Sequence, residues 1–226
     1  ASTSAPASDS APDSAPPLAL SRRSDPGPAP SAPPASRRSD PSARRSDPGV
    51  PRRRSPGEDL IGDLFETIHD LSFMVDLVSG ADFVVRVLSD VIPCEAIVVH
   101  AFDLGRREFV VVRARGPNAQ NALLHRTPDA DPHVREIMRR RSFITNGASK
   151  SRSGAFEKLG TEPQMVLSAP ARQGGRYLGL IELANPLGGT PFHEGEASAL
   201  EYVCEQFAAF VASRPVVLDE DVVLGR

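Results

Sequence analysis

The chain has 226 residues and a formal net charge of −3, room for one ordinary domain and an appendage. Its two cysteines, Cys94 and Cys204, are too few for a disulfide framework and lack metal-ligand spacing. No stretch approaches the ~20 consecutive apolar residues of a membrane span.

Composition shifts near Pro56. Residues 1–56 hold 13 of the 22 prolines and no aromatic residue, and their charge is nine Arg against five Asp. The remainder carries 17 basic and 24 acidic residues, net −7. The first segment has too little apolar surface to offset its chain entropy and reads as a disordered tail. Within it "SRRSDP" occurs at Ser21 and Ser36, "ARRSDP" at Ala43 and "PRRRSP" at Pro51. Two arginines before a serine suit a basophilic kinase, so Ser24, Ser39 and Ser46 are candidate phosphosites; a soluble spacer is the other reading. The start "ASTSAPASDS" has no basic-then-apolar leader pattern. With the cysteine usage this implies a cytoplasmic protein, and the initial Ala implies a chain processed or cut from something longer.

The folded region is expected over 57–213. Leu60, Ile61, Leu64, Phe65, Ile68, Leu71, Val75 and Val78 form one helical stripe, opened by the acids Glu58 and Asp59 and ended or bent at Gly80. A second helix carries Phe83, Val84, Val87, Leu88, Val91 and Ile92 and breaks at Pro93. "CEAIVVHAFD" and "FVVVRARG" make a hairpin across "LGRRE". Pro117 to Arg126 is polar and irregular. "DPHVREIMRRRS" is a short helix with arginines near its C-terminal end, where cations favour the helix dipole, and "FITN" is a short strand. "GASKSRSGAFEKLG" is a loop with one helical turn, and "MVLSAPAR" and "RYLGLIELAN" are strands joined by "QGG". The final helix runs from Glu194 to Ser213, and 214–226 is an extension or linker. Helices at the chain ends around an antiparallel sheet make an α+β arrangement. One sheet face packs on the first and last helices and the other lies under residues 117–160.

The hairpin after "CEA", the "GLIELAN" strand and the "PFHEGEASALEYVCEQFAAFV" helix, in this order, resemble a GAF domain, a small-molecule-sensing relative of PAS. The resemblance covers about Glu58 to Ser213. It implies a six-stranded sheet, a pocket between one sheet face and the middle loops, and homodimerisation through the terminal helices. Cyclic-nucleotide-binding members carry Asn-Lys, a Phe, then Asp-Glu. Here Asn185 and Phe192 match, Pro186 replaces the Lys, and Glu196 and Ala197 replace the acidic pair. Without the Lys the usual charge pairing at that turn cannot form, so cyclic-nucleotide binding is not implied.

The candidate ligand-binding residues are Arg113, Arg115, His133, Asn146 and Glu182. Arg113 and Arg115 alternate on one strand face with Phe109 and Val111. They either hold an anion by fork-shaped hydrogen bonding or end the strand in solvent. Glu182 is a lone acid in "GLIEL", a pocket acceptor or an edge residue. His100, in an apolar strand, is a core or pocket residue, and His125 and His133 belong to the roof. No metal site, cofactor or nucleophile motif is read. Free methionine sulfoxide reductases of the family use cysteines near the pocket. Only Cys94 approaches the sheet, whereas Cys204 lies on the apolar stripe of the last helix. The net −7 of the folded region argues against nucleic acid. The expected role is a non-enzymatic sensory module for an unknown small molecule and a signalling partner. The alternative is a degenerate GAF-like scaffold with a phosphorylatable tail.

Overall fold

The computed structural model describes residues 59–146, 154–214 and 218–226; the tail and its three candidate phosphosites lie outside them. Asp59 caps the first helix, α1 (Leu60–Ile68), by accepting a hydrogen bond from the Gly62 amide, which satisfies one of the orphan donors of a helix start. Leu60, Leu64 and Ile68 face inward.

The stripe does not continue as one helix. The chain tightens into a 3₁₀ turn at His69–Phe73, Met74 turns extended, and α2 (Leu77–Val91) starts afresh. Its start is a reciprocal box: the Ser79 amide donates to Asp76 Oδ1 at 2.7 Å and the Asp76 amide donates to Ser79 Oγ at 3.1 Å. Gly80, expected to end a helix, lies inside the first turn of α2. A Cβ there would sit 2.3 Å from the Phe210 ring, so Gly80 allows the close approach of the last helix.

Six strands follow: β1 (Cys94–Asp103), β2 (Glu108–Arg115), β3 (Arg126–Pro128), β4 (Phe143–Asn146), β5 (Met165–Gln173) and β6 (Arg176–Pro186). They form one sheet in the order β3-β2-β1-β6-β5-β4, antiparallel throughout. Short helices α3 (Ala119–Ala122), α4 (Pro132–Met138) and α5 (Gly154–Leu159) belong to the middle segment, and α6 (Glu194–Ala212) closes the domain. The stretch expected to be irregular thus holds α3 and leads into the edge strand β3. Gly174 and Gly175, with φ of 57° and 79°, make the tight β5–β6 turn, which needs positive φ at both positions.

The sheet is α+β in its layering, with helices at both chain ends on one face. On this helix face, Ile97, Val99, Leu167, Ile181 and Leu183 pack on α2 and α6 through Leu88, Leu200, Val203 and Phe207. Each such side chain, fully buried, contributes roughly 1.5–3 kcal/mol by transfer. Arg214 fixes the end of α6 to the start of the domain. It donates to the Ser72 carbonyl at 2.8 Å and to that of Met74, and lies over the Phe210 ring. On the opposite, loop face, Ala96, Val98 and Ala184 meet Phe156 and Leu159 of α5, while Phe109 and Leu180 meet Val134 and Ile137 of α4.

One irregularity redirects side chains. The β1–β2 register pairs Val111 with His100, then shifts, so that Arg113 pairs with Val99 and Ala114 with Val98. Val112 is the extra residue of a β-bulge, and a one-residue slip exchanges faces. Arg113 and Arg115 therefore pair with the helix-face residues Val99 and Ile97, and do not share a face with Phe109 and Val111 as simple alternation predicts.

The described part of the extension is likewise more than a linker. Asp219 caps a seventh helix, α7 (Glu220–Leu224), whose Val223 is 2% exposed in the helix-face core.

Candidate functional site

Alternation along β6 puts Leu180, Glu182 and Ala184 on the loop face, where Glu182 stands between Val98 of β1 and Ser168 of β5. A carboxylate in a strand apolar on both faces must find donors or be neutralised. Two are supplied. His100 of β1 places Nε2 3.0 Å from Glu182 Oε2, and His133 of α4 places Nε2 2.9 Å from Oε1. His133 is aimed by the start of α4. Pro132 occupies the first turn, and Asp131 Oδ1 accepts from the amides of His133 and Val134. A second tie holds the other end of α4 to β6, where the Tyr177 hydroxyl donates to the Met138 carbonyl at 2.7 Å.

All three side chains are buried, Glu182 at 0%, His100 at 1% and His133 at 4% exposure. Burial alone raises the Glu182 pKa, but hydrogen bonds and charge from His100 and His133 hold it well below the usual carboxylate range. Burial alone lowers His133, and the hydrogen bond and charge of Glu182, with Asp131 behind, more than offset this, so its pKa is raised. Glu182 is thus ionised and His133 favours its imidazolium form. An ionised carboxylate only accepts, so both Nε2 atoms carry hydrogens and each Nδ1 is left for another partner.

Among the described residues neither Nδ1 has a hydrogen-bond partner, and neither do the buried Ser168 Oγ, opposite Glu182, and Thr127 Oγ1, opposite Phe109. His125 adds a third imidazole, half-buried, with Nε2 2.8 Å from where a Cβ on Gly154 would lie. Burial lowers its pKa, and nearby His100 and Lys158 lower it further. The arrangement can offer a small polar molecule an imidazolium N–H, a neutral imidazole nitrogen and hydroxyls in dry surroundings.

Of the residues singled out in sequence, the fold brings Glu182 and His133 together and adds His100 to them. Arg113 lies elsewhere. Its Nε donates to Asp82 Oδ1 at 2.7 Å and its Nη1 to the carbonyls of Val112 and Val223, each at 2.8 Å. Arg115 is exposed, and Asn146 is exposed at the end of β4. The signal for His100 was present: it is a polar residue inside a strand apolar on both faces, as Glu182 is. Nothing local links residues 82 positions apart.

The thiols do not suit nucleophilic chemistry. Burial pushes Cys94 up to about 12, and burial also raises Cys204 well above the thiol range, whereas a reactive cysteine needs its thiolate. Beside Pro186, which stands where cyclic-nucleotide-binding GAF domains carry Lys, Asn185 adopts φ 56°. Its side chain accepts from the amides of Gln164 (2.7 Å) and Met165 (3.3 Å), and donates to Glu95 Oε2 (2.7 Å) and the Glu162 carbonyl (3.0 Å). His193 and Glu196 cap α6 reciprocally. The turn is thus held without the Lys pairing. Among the described residues, no group of three or more His, Cys, Asp or Glu is arranged to hold a metal, and no helix is long and apolar enough to cross a membrane.

No protein-family model and no curated protein matches the sequence. Solved structures match the fold. The GAF domain of a phosphoenolpyruvate-protein phosphotransferase from Coxiella burnetii superposes with a TM-score of 0.60 at 18% identity, over 70% of this chain and 96% of that one. The corresponding domain from Acinetobacter gives 0.56 at 17%, over 68% and 92%. A free methionine-R-sulfoxide reductase from Neisseria meningitidis, solved with its substrate, gives 0.53 at 14%, over 73% and 97%. The described domain has the GAF fold.

Proposed function

We propose that the chain is a non-enzymatic sensory or regulatory domain of the GAF type that binds a small polar molecule on the loop face, against Glu182, His100 and His133. The observation that carries this reading is the set of buried polar atoms left over once Glu182 is satisfied: His100 Nδ1, His133 Nδ1 and Ser168 Oγ. A buried polar group without a partner costs about 1–3 kcal/mol, and a ligand supplying the partners recovers that. The likeness to GAF domains supports a role in signalling, with homodimerisation through the terminal helices. Ile61 and Phe65 on α1, 40% and 56% exposed, suit that contact.

A thermal-shift panel of amino acids, small carboxylates and nucleotides tests this. A ligand at 100 times its dissociation constant raises stability by about 2.7 kcal/mol. Ser168→Ala, which removes an unsatisfied hydroxyl and breaks no side-chain hydrogen bond, is expected to abolish that shift while leaving the ligand-free melting temperature unlowered or raised. Silence across the panel favours a second reading, a scaffold whose loop face is closed by Phe156, Phe109 and Ile137. Its Arg-rich tail would then be the docking segment, with its positive charge removed by phosphorylation at Ser24, Ser39 and Ser46. Mass spectrometry of those serines tests the tail.

A further inference from the structure

The central strands β1 and β6 are not paired along their whole length. Their ladder runs from Cys94↔Pro186 to Ala101↔Gly179. There the backbones approach so closely that a Cβ on Gly179 would lie 2.5 Å from the His100 carbonyl. Beyond this point each strand keeps only its hairpin partner. β1 follows β2 as far as Asp103↔Glu108, and β6 runs with β5, past a bulge at Ala171–Arg172, to Gln173↔Arg176. The two hairpin tips part, and bulges are a recognised means of bending a strand away from its neighbour.

The parting leaves an open cleft of about 1010 Å³ between the β1–β2 tip, the β5–β6 tip and the end of α6. Small-molecule sites fill ~300–1,000 Å³. Phe102, Leu178, Val211 and Leu218 supply an apolar lining, joined by Leu104, which is 67% exposed. Gly174 and Gly175 border the cleft with bare backbone, since a Cβ on either would meet nothing within 4 Å.

Three charged side chains line the same space: Asp103, Arg176 and Arg214. Asp103 is already matched. Its Oδ2 accepts from Arg126 Nη1 at 3.2 Å, and its Oδ1 accepts from the amides of Gly105 and Arg106. Arg214 donates to two neutral carbonyls, of Ser72 and Met74, so its charge is not cancelled. Arg176 is exposed and has no acidic partner among the described residues. The cleft is therefore cationic, although residues 57–226 carry net −7. Attraction for an anion is a local property of this place and not of the domain as a whole. One unengaged guanidinium offers two parallel N–H bonds, the geometry that matches a single planar carboxylate.

We infer that this cleft is a second ligand site, separate from the loop-face site, and that it takes a free amphipathic carboxylate. The acid head lies on Arg176, and the apolar body lies along Leu178, Val211 and Leu218.

Decanoate is the probe, titrated into the isotope-labelled full chain. It is expected to move the amide resonances of Gly105, Gly174, Gly175 and Leu178 saturably and to leave those of Ser168 and Glu182 in place. Arg176→Gln removes the head contact and Ala212→Trp fills the cleft, both at exposed positions. Each is expected to weaken binding about ten-fold or more. Decanol, with the same body and no acid, is expected to bind as weakly as decanoate does to Arg176→Gln. Shifts that do not saturate, or that fall on the loop face, overturn the inference. Equal affinity in wild type and Arg176→Gln, or equal affinity for decanoate and decanol, overturns it as well, whatever Ala212→Trp does. Vesicles containing an anionic phospholipid distinguish a free acid from a membrane surface. The chain is expected to stay in solution when they are sedimented, and co-sedimentation lost in Arg176→Gln would overturn the free ligand.

Discussion

On the helix face of the sheet, Ile97, Val99, Leu167 and Ile181 meet apolar partners from α2 and α6; on the loop face the same strands present His100, Ser168 and Glu182 among smaller apolar clusters. The first face is held by area removed from water, which depends little on pH and on the identity of any one contact. The second is held partly by a buried ion pair with a shared carboxylate, whose strength depends on every member keeping its proton state. A sheet with one such face has a stable half and a responsive half. Here the terminal helices cover the former and the middle segment the latter.

Removing the carboxylate tests the responsive half most severely. Glu182→Leu keeps the volume and leaves both Nε2 donors buried without an acceptor. Loss of one member of a buried pair costs about 3–5 kcal/mol, or about 6–20 °C in melting temperature for a domain of this size. The pH profile distinguishes this from simple packing damage. The folded Glu182 lies below its ordinary value of 4.5, so its stabilisation is complete above that value and fades as pH falls. The folded His133 lies above its ordinary value of 6.5, so its stabilisation is complete below that value and is lost as pH rises through the raised one. Denaturant titrations are therefore expected to show a difference between wild type and Glu182→Leu that is largest between 4.5 and 6.5 and shrinks on both sides. A difference independent of pH would mean that the trio acts only as packing.

The matching change on the other face is Leu200→Ala, in the helix-face core. It is expected to cost about 2–5 kcal/mol, transfer plus cavity, with no pH dependence of its own across the same titrations. A pH-dependent loss there would erase the contrast between the faces.

Gly80→Ala probes how tightly the apolar half is closed. The added methyl would lie 2.3 Å from the Phe210 ring, and α2 and α6 must part or the ring must turn. Overpacking of this kind costs about 1–3 kcal/mol, and the melting temperature reads it directly. An unchanged or raised value would show that the α2–α6 contact has slack.

The apolar half was largely legible in the sequence because stripes and runs report burial directly. Leu60, Leu64 and Ile68, the continuous run of β1 and the stripe of α6 all fall where their spacing puts them. The responsive half was legible only as residue types. His100, His133 and Glu182 lie on three elements, and their meeting is set by strand order and by the Asp131 cap, neither of which has a local periodicity. The bulge at Val112 is invisible for a related reason. It is a property of pairing between two strands, and sequence alternation alone assigns Arg113 and Arg115 to the opposite face. β3, at three residues, and α7, at five, are too short for any period to show.

The smallest expected effect concerns the break between α1 and α2, which apolar spacing reads straight through. Leu71, Val75 and Val78 keep helical step, yet Val75 is 84% exposed, and Phe73 beside it is 77% exposed, because the chain leaves the helix at Met74. What restarts it is polar: Asp76 and Ser79 exchange hydrogen bonds between side chain and amide. If that box decides where α2 begins, Asp76→Ala costs about 1 kcal/mol, as loss of an N-cap does, and frays the first turn of α2. Faster amide exchange at Ser79 and Gly80, with the sheet amides unchanged, would register it. The loss should also be complete above the ordinary carboxylate value of 3.8 and shrink as pH falls below it, since the Ser79 amide holds the Asp76 carboxyl below its usual value. If instead α1 and α2 fuse into one helix in the variant, Val75 and Phe73 would turn with the helix, and the apolar spacing rather than the cap would prove to be the stronger determinant.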